Sequence, residues 1–236
     1  MAGVVGLPVL ADHGSDPAIS QVICGMTTFW SVPCEWPGET VFIIAGGPSV
    51  RNIDLEQLRG HKIIAINSSI HAVPWADILY FGDWRWWNEP ENAAAVAAFP
   101  GRSVTVSQTI ESEKLLICRK GNPPGLSMAR DTLTQKWTSL TAATNLAAHL
   151  VGPGGTIIWL GADGKAAADG TIWHHKPHRW GPKPSRYELH RADIATMGEP
   201  LRRMGIVLLN ASQGSAYADL WPVVSLQDVL GARAAA

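Results

Sequence analysis

Val41-Phe42-Ile43-Ile44-Ala45 is a continuous apolar run that stops abruptly at Gly46-Gly47-Pro48-Ser49. An unbroken run of this length predicts a strand buried on both faces, as in a parallel sheet. Two glycines and a proline then force a tight turn. The same pattern returns at Lys62–Ile66, Ile78–Phe81, Thr156–Leu160 and 206–209, with short strand candidates at 103–106 and 114–118. Helical patterns alternate with them. A short one at 54–58 is capped by Asn52 or Asp54 and stopped by Gly60. The alanine-rich 84–99 is closed by Pro100-Gly101, and 140–150 ends in Val151-Gly152-Pro153-Gly154-Gly155. Residues 185–204 and 225–230 complete the set, with loops at 122–125 and 165–184. Strands alternating with helices predict an α/β fold, a three-layer α/β/α Rossmann-like sandwich with a mostly parallel sheet. Residues 1–38 show weak periodicity and read as an N-terminal extension to a single domain over 39–236.

Four of these strands end in small or polar residues: Gly46-Gly47-Pro48-Ser49, Asn67-Ser68-Ser69, Gly82-Asp83 and Gly161-Ala162-Asp163. A parallel sheet brings such ends to one edge, where open α/β folds bind ligands. Backbone N–H groups of Gly46, Gly47 and Ser49 are candidates to face phosphate oxygens, with Pro48 rigidifying the turn. The turn is neither a phosphate-binding Gly-Lys-Ser/Thr loop nor the Gly-x-Gly-x-x-Gly of dinucleotide folds. Asp83 and Asp163 are candidates to hold a metal, bind ribose hydroxyls or act as a base; the alternative is a helix cap. His174-His175-x-x-His178 invites a zinc reading, but zinc needs three or four supported ligands and no cysteine lies nearby. A loop histidine acting as general acid or base fits better, against the alternative of solvated surface histidines. Thr138-Ser139 precedes the 140–150 helix, with Ser139 the candidate for a plain N-cap and the helix start a candidate to bind phosphate.

The chain of 236 residues carries a net charge of −1, so the whole molecule does not attract nucleic acid electrostatically. The charge is uneven. Lys176, Arg179, Lys183, Arg186 and Arg191 oppose Glu188 alone, a segment suited to an anionic substrate. No run approaches the roughly 18 apolar residues of a membrane span. Residues 1–10 lack a basic n-region, so a signal peptide is not expected. Three cysteines without metal spacing favour reduced thiols and a cytoplasmic location over a Cys24–Cys34 disulfide. Eleven tryptophans are many, and Trp84, Trp86 and Trp87 sit among polar residues, as site-lining or simply packed rings do.

Ile44 to Val50, Ile53-Asp54, Leu58 and Ile66-Asn67 resemble the start of two related groups. These are the bacterial CMP-sialic acid-dependent sialyltransferases and the MptE-like 6-hydroxymethylpterin pyrophosphokinase family. The phage branch of the latter is similar in Pro74-Trp75-Ala76-Asp77 and in Gly82-Asp83-x-x-Trp86-Trp87. Thr138-Ser139 resembles the nucleotide-contacting helix start, Leu160-Gly161-Ala162-Asp163 a strand end, and Asn210-Ala211-Ser212 with Ser215 a late Asn-x-Ser segment. The resemblance spans residues 40–230. It implies a catalytic-base histidine in the loop holding His174, His175 and His178. Gly46 and Leu140 stand where sialyltransferases have Asn and Gly, so the contacts to the nucleotide differ.

Together these readings predict a nucleotide-dependent transferase, foremost a glycosyltransferase using a nucleotide-activated donor. Gly46, Gly47, Ser49, Ser139 and Asn67 would hold the donor, Trp84 would lie against it, and a histidine would deprotonate the acceptor. The acceptor would be a glycan, a small molecule or a modified nucleic acid. The sialyltransferase resemblance implies that this reading needs no metal. The alternative is a pyrophosphokinase with Mg²⁺ on Asp83 or Asp163 and a pterin or nucleoside stacked on Trp84, Trp86 or Trp87. A phage protein that binds a nucleotide without turnover is a third class. A homo-oligomer is compatible with all three.

Overall fold

The apolar runs become strands because each finds a hydrophobic layer on both of its faces. The computed structural model of the chain describes residues 28–110, 112–179 and 186–234. In chain order the elements are β1 (Thr40–Ile44), β2 (Lys62–Ile66), β3 (Ile78–Phe81), α1 (Trp84–Trp87), α2 (Pro90–Ala98), β4 (Arg102–Thr105) and β5 (Leu115–Ile117). There follow β6 (Arg119–Gly121), β7 (Thr132–Thr134), α3 (Ser139–Val151), β8 (Thr156–Leu160), α4 (Arg186–Ala195), α5 (Gly198–Arg203), β9 (Val207–Asn210) and α6 (Leu226–Ala234). Seven strands form one sheet in the order β5-β4-β3-β2-β1-β8-β9, every neighbouring pair parallel. β6 and β7 pair as a separate parallel ribbon.

Side chains alternate across the sheet with period two. Val41, Ile43, Ile64, Ile66, Ile157 and Trp159 join one core, and Phe42, Ile44, Ile63, Ala65, Ile158 and Leu160 join the other. α3, Ile194 and Leu201 cover the first face. Leu58, Trp86, Val96 and Leu226 cover the second. The fold is thus the expected α/β sandwich with a parallel sheet. No helix among the described residues is long and apolar enough to cross a membrane.

Several expected elements differ in ways that local chemistry explains. The 84–99 helix is broken into α1 and α2 at Glu89-Pro90, because proline lacks an N–H and pushes the preceding residue out of helical geometry. Glu89 accordingly lies extended, at φ −74° and ψ 124°. The described part of 185–204 likewise divides into α4 and α5, where the Pro200 ring would crowd the Thr196 carbonyl of a continuous helix. The 54–58 segment is a 3-10 turn over Leu55–Leu58, with Asp54 accepting from the Glu56 N–H at 3.1 Å. The described part of the extension packs on the domain. Trp30, Val32 and Trp36 are buried in the first core, the Trp30 N–H donates to the Ile117 carbonyl at 2.8 Å, and Arg102 grips Glu35 with both terminal nitrogens. Cys24 and Lys183 lie outside the described residues.

α3 is buried from Leu140 to Val151, yet it carries Thr144, Asn145 and His149. Buried polar groups need partners. The Thr144 hydroxyl donates to the Leu140 carbonyl at 2.7 Å and accepts from the Trp159 indole at 3.0 Å. Asn145 Oδ1 accepts from the Ser127 and Thr134 N–H groups at 2.8 and 3.1 Å, and its amide donates to the Ser127 carbonyl at 3.0 Å. One asparagine thereby ties β7 and its approach to the helix beneath.

β1 through β5 step outward in one direction, while β8 and β9 add on the other side of β1. The order therefore reverses between β1 and β8, which opens a crevice at the carboxyl ends of these two strands.

Candidate functional site

Gly46-Gly47-Pro48-Ser49 leaves β1 and Gly161-Ala162-Asp163 leaves β8, side by side. The Gly47 N–H donates to the Gly161 carbonyl at 2.9 Å. The Ser49 N–H donates to Asp163 Oδ1 at 3.3 Å and its hydroxyl to Oδ2 at 2.9 Å. Two of the three N–H groups expected to face phosphate are thus committed to holding the turns together. Asp163 is buried, and desolvation pushes its carboxyl above the usual range, against the opposing hydrogen bonds from Ser49. Behind it, Ala162 N–H donates to Ser212 Oγ at 2.7 Å, and Ser212 N–H to Asn210 Oδ1 at 3.0 Å. Asn210 and Ser212 are fully buried and act as supports for the β8 turn rather than as cleft walls.

Above the strand ends lies a cleft of about 710 Å³. It brings together Gly46, Gly47, Asn67, Asp83, Trp84, Thr138, Ser139, Asp163, His175 and His178 from six separate stretches of chain. Pro48 and Ser49 instead line a neighbouring cavity, with Asp163 and Lys165 at its border with the cleft. Asn67 adopts φ 51°, a left-handed conformation rare outside glycine, and its Oδ1 is buried with no partner among the described residues. The cap of α3 is Thr138 and not Ser139, which is already the first helical residue: the Thr138 side chain accepts from the Leu140 N–H at 3.1 Å, and the start of this 13-residue helix opens on the cleft. Asp83 takes the capping arrangement. Its carboxylate accepts from the Arg85 N–H at 3.0 Å and from the Arg85 guanidinium at 2.5–3.1 Å. Burial raises this carboxyl, but the Arg85 bonds outweigh burial and hold it below its ordinary value.

The three loop histidines divide their work. His174 is a structural pin: its N–H donates to the Gly46 carbonyl at 3.1 Å, its Nε2 lies 3.0 Å from Ser69 Oγ, and its ring bonds the Ala45 carbonyl. His175 Nδ1 is 2.9 Å from the Lys176 carbonyl. A carbonyl only accepts, so Nδ1 carries the proton and Nε2 presents a lone pair. That Nε2 hangs over the β1 turn, 3.1 Å from where a side chain on Gly46 would begin. Trp173 stacks on His175 at 6.0 Å between ring centres, and His178 packs beside it at 4.9 Å. Burial lowers the basicity of all three, His174 and His178 to about 4.

The metal alternative can be tested on its donors. Arg85 occupies both Asp83 oxygens and Ser49 both Asp163 oxygens. Among the described residues no group of three or more His, Cys, Asp or Glu is placed to hold an ion. A cation at Asp83 would have to displace the Arg85 guanidinium, and one at Asp163 would share its oxygens with Ser49.

The basic segment behaves differently from expectation. Lys176 pairs with Glu91 at 3.0 Å, Arg179 with Glu89 at 3.2 Å, and Arg191 with Asp219, so among its described residues only Arg186 lines the cleft. Other cations supply that wall: Lys120 from β6, Lys136 beside the α3 cap, and Lys165 after β8. With them come Gln135, Trp137, Trp173, Tyr187, His190 and Tyr217. β6 and β7 have no apolar run to announce them; Lys136-Trp137 directly before the Thr138 cap was the one available sign.

Buried neutral histidines also make a prediction about stability. His149, held by Asn145 at 3.2 Å, has its pKa lowered from 6.5 to about 4, chiefly by burial. The unfolded chain therefore binds its proton first. His149 contributes its full stabilisation above pH 6.5 and loses it as pH falls towards 4, a swing of about 3 kcal/mol by linkage. Urea unfolding at pH 7 and pH 5 should show the loss, and His149→Gln should reduce it by the His149 share, the other buried histidines keeping theirs.

Compared with protein-family models, curated proteins and solved structures, the chain shows no significant match to any.

Proposed function

We propose that the protein is a metal-independent transferase that binds a nucleotide-activated donor in the cleft, with His175 as the general base. The observation that carries this reading is His175 Nε2, its tautomer set by the Lys176 carbonyl, poised over Gly46 at the point where strand order reverses. The cleft's chemistry suits the donor. Lys120, Lys136, Lys165 and Arg186 match phosphate charge, and the α3 N-terminus adds its dipole. Trp84 and Trp137, 54% and 38% exposed, offer ring faces to a base. Asn67 Oδ1 offers an unused acceptor to a base or ribose donor. The sequence resemblance to nucleotide-dependent sialyltransferases points the same way.

The neutral imidazole takes the proton of an acceptor hydroxyl as its oxygen attacks the donor carbon. The carbon–oxygen bond to phosphate breaks, and the electron pair leaves on the phosphate, whose charge the cleft cations balance. Thermal denaturation tests the binding step. CMP, UDP and ATP are each added with and without Mg²⁺. A ligand at a hundred times its Kd adds about 2.7 kcal/mol, or roughly 5–10 °C in Tm for a chain of this size. The expected result is such a shift for at least one nucleotide without Mg²⁺. No shift with any of them, or a shift only for ATP with Mg²⁺, would overturn the reading.

A further inference from the structure

A second cavity, of about 610 Å³, meets the cleft at the histidine loop. It lies between the turn that follows β2 and the start of α2, with Ser68, His71 and Asn92 in its wall. Among the described residues, His175 and His178 alone line both spaces. The two spaces differ in charge. The cleft is rich in cations. In the second cavity Glu91 is matched by Lys176 and Glu89 by Arg179. Asn92 is held in place there, its amide donating to the Trp86 carbonyl at 2.9 Å and its Oδ1 lying 3.2 Å from His71 Nε2. Such a wall carries no net charge to attract an ion, yet it presents carboxylate acceptors and cationic donors at close quarters. That combination suits hydroxyl groups.

We propose that this cavity is the acceptor chamber and takes a neutral, hydroxyl-rich molecule, with His175 in the shared wall receiving the hydroxyl proton. The proposal rests on the reading of the cleft as the donor site. In the step, the acceptor oxygen forms its bond to the donor carbon and its proton passes to His175 Nε2. The donor carbon–oxygen bond breaks with its electron pair leaving on phosphate, and the imidazolium returns the proton to solvent.

Saturation-transfer NMR on the full chain tests it, with maltose, lactose and glucose 6-phosphate as probes, each with and without the nucleotides named above. The expected result is a signal for a neutral disaccharide, abolished in Ala72→Trp, which fills the chamber. Glu91→Gln, on a side chain 53% exposed and so harmless to folding, should weaken that signal at least fivefold. Both variants should keep the nucleotide thermal shift. No disaccharide signal, a signal that survives Ala72→Trp, or a stronger signal for the sugar phosphate would overturn the proposal. A disaccharide signal without any nucleotide shift would uphold the chamber and sink the donor reading instead.

Discussion

His175→Gln is expected to lower turnover about 10²–10⁴-fold, the range a positioned general base supplies. Glutamine keeps a polar side chain but has no nitrogen lone pair to take a proton. The pH profile gives the sharper readout. A base works unprotonated, and burial lowers the His175 pKa from 6.5. Activity should therefore hold through neutrality and decline only as pH falls below 6.5, and the acid limb should vanish in the variant. His174→Gln should differ in kind. It removes the bonds to Ser69 and Ala45, so its first effect is a lower unfolding midpoint. Full activity in His175→Gln, or an acid limb above pH 6.5, would remove the base from the scheme.

Gly47→Ala is expected to destabilise the protein by about 3 kcal/mol or more, beyond the usual range for overpacking. The new methyl would start 1.9 Å from Asp163 Oδ2 and 2.4 Å from the Gly161 carbonyl oxygen. A flexible side chain could step aside, but Asp163 is pinned by Ser49 and the Gly161 oxygen is backbone. Gly161→Ala should be comparably severe: its φ is +77° and its methyl would meet the Ala45 carbonyl at 2.4 Å. Gly60→Ala is the control. It shares a positive φ of +85° but faces open space, so only the left-handed backbone term of about 1–2 kcal/mol applies. Urea unfolding ranks the three. Gly47→Ala no worse than Gly60→Ala would mean that the two turns do not lock together as described.

Lys62–Ile66, Ile78–Phe81 and Thr156–Leu160 were legible to the residue, because a strand buried on both faces has no choice but to be apolar throughout. The breaks at Pro90 and Pro200 were also written in the chain, though continuous helical composition on either side concealed them. Lys120, Gln135 and Trp137 were not legible as cleft residues. Lys120 sits on β6 and the other two follow β7; each of these strands is only three residues long, and Asn145 on α3 holds Thr134 by a contact with no local signature.

The glycine and polar strand ends marked where a crevice would form, since local backbone chemistry and hydrophobic period both act over a few residues. What each polar group does there was decided by distant neighbours. Ser49 lies 114 residues from the Asp163 it grips, and His174 lies 105 from Ser69. Sheet order alone brings them together. It turns Asp163 into a clamp and His174 into a pin, and leaves His175 with a lone pair facing the cleft. Sequence alone marked the strands of the main sheet and the turns that end them; the division of labour among identical side chains belonged to the tertiary structure, because a hydrogen bond depends on who stands opposite.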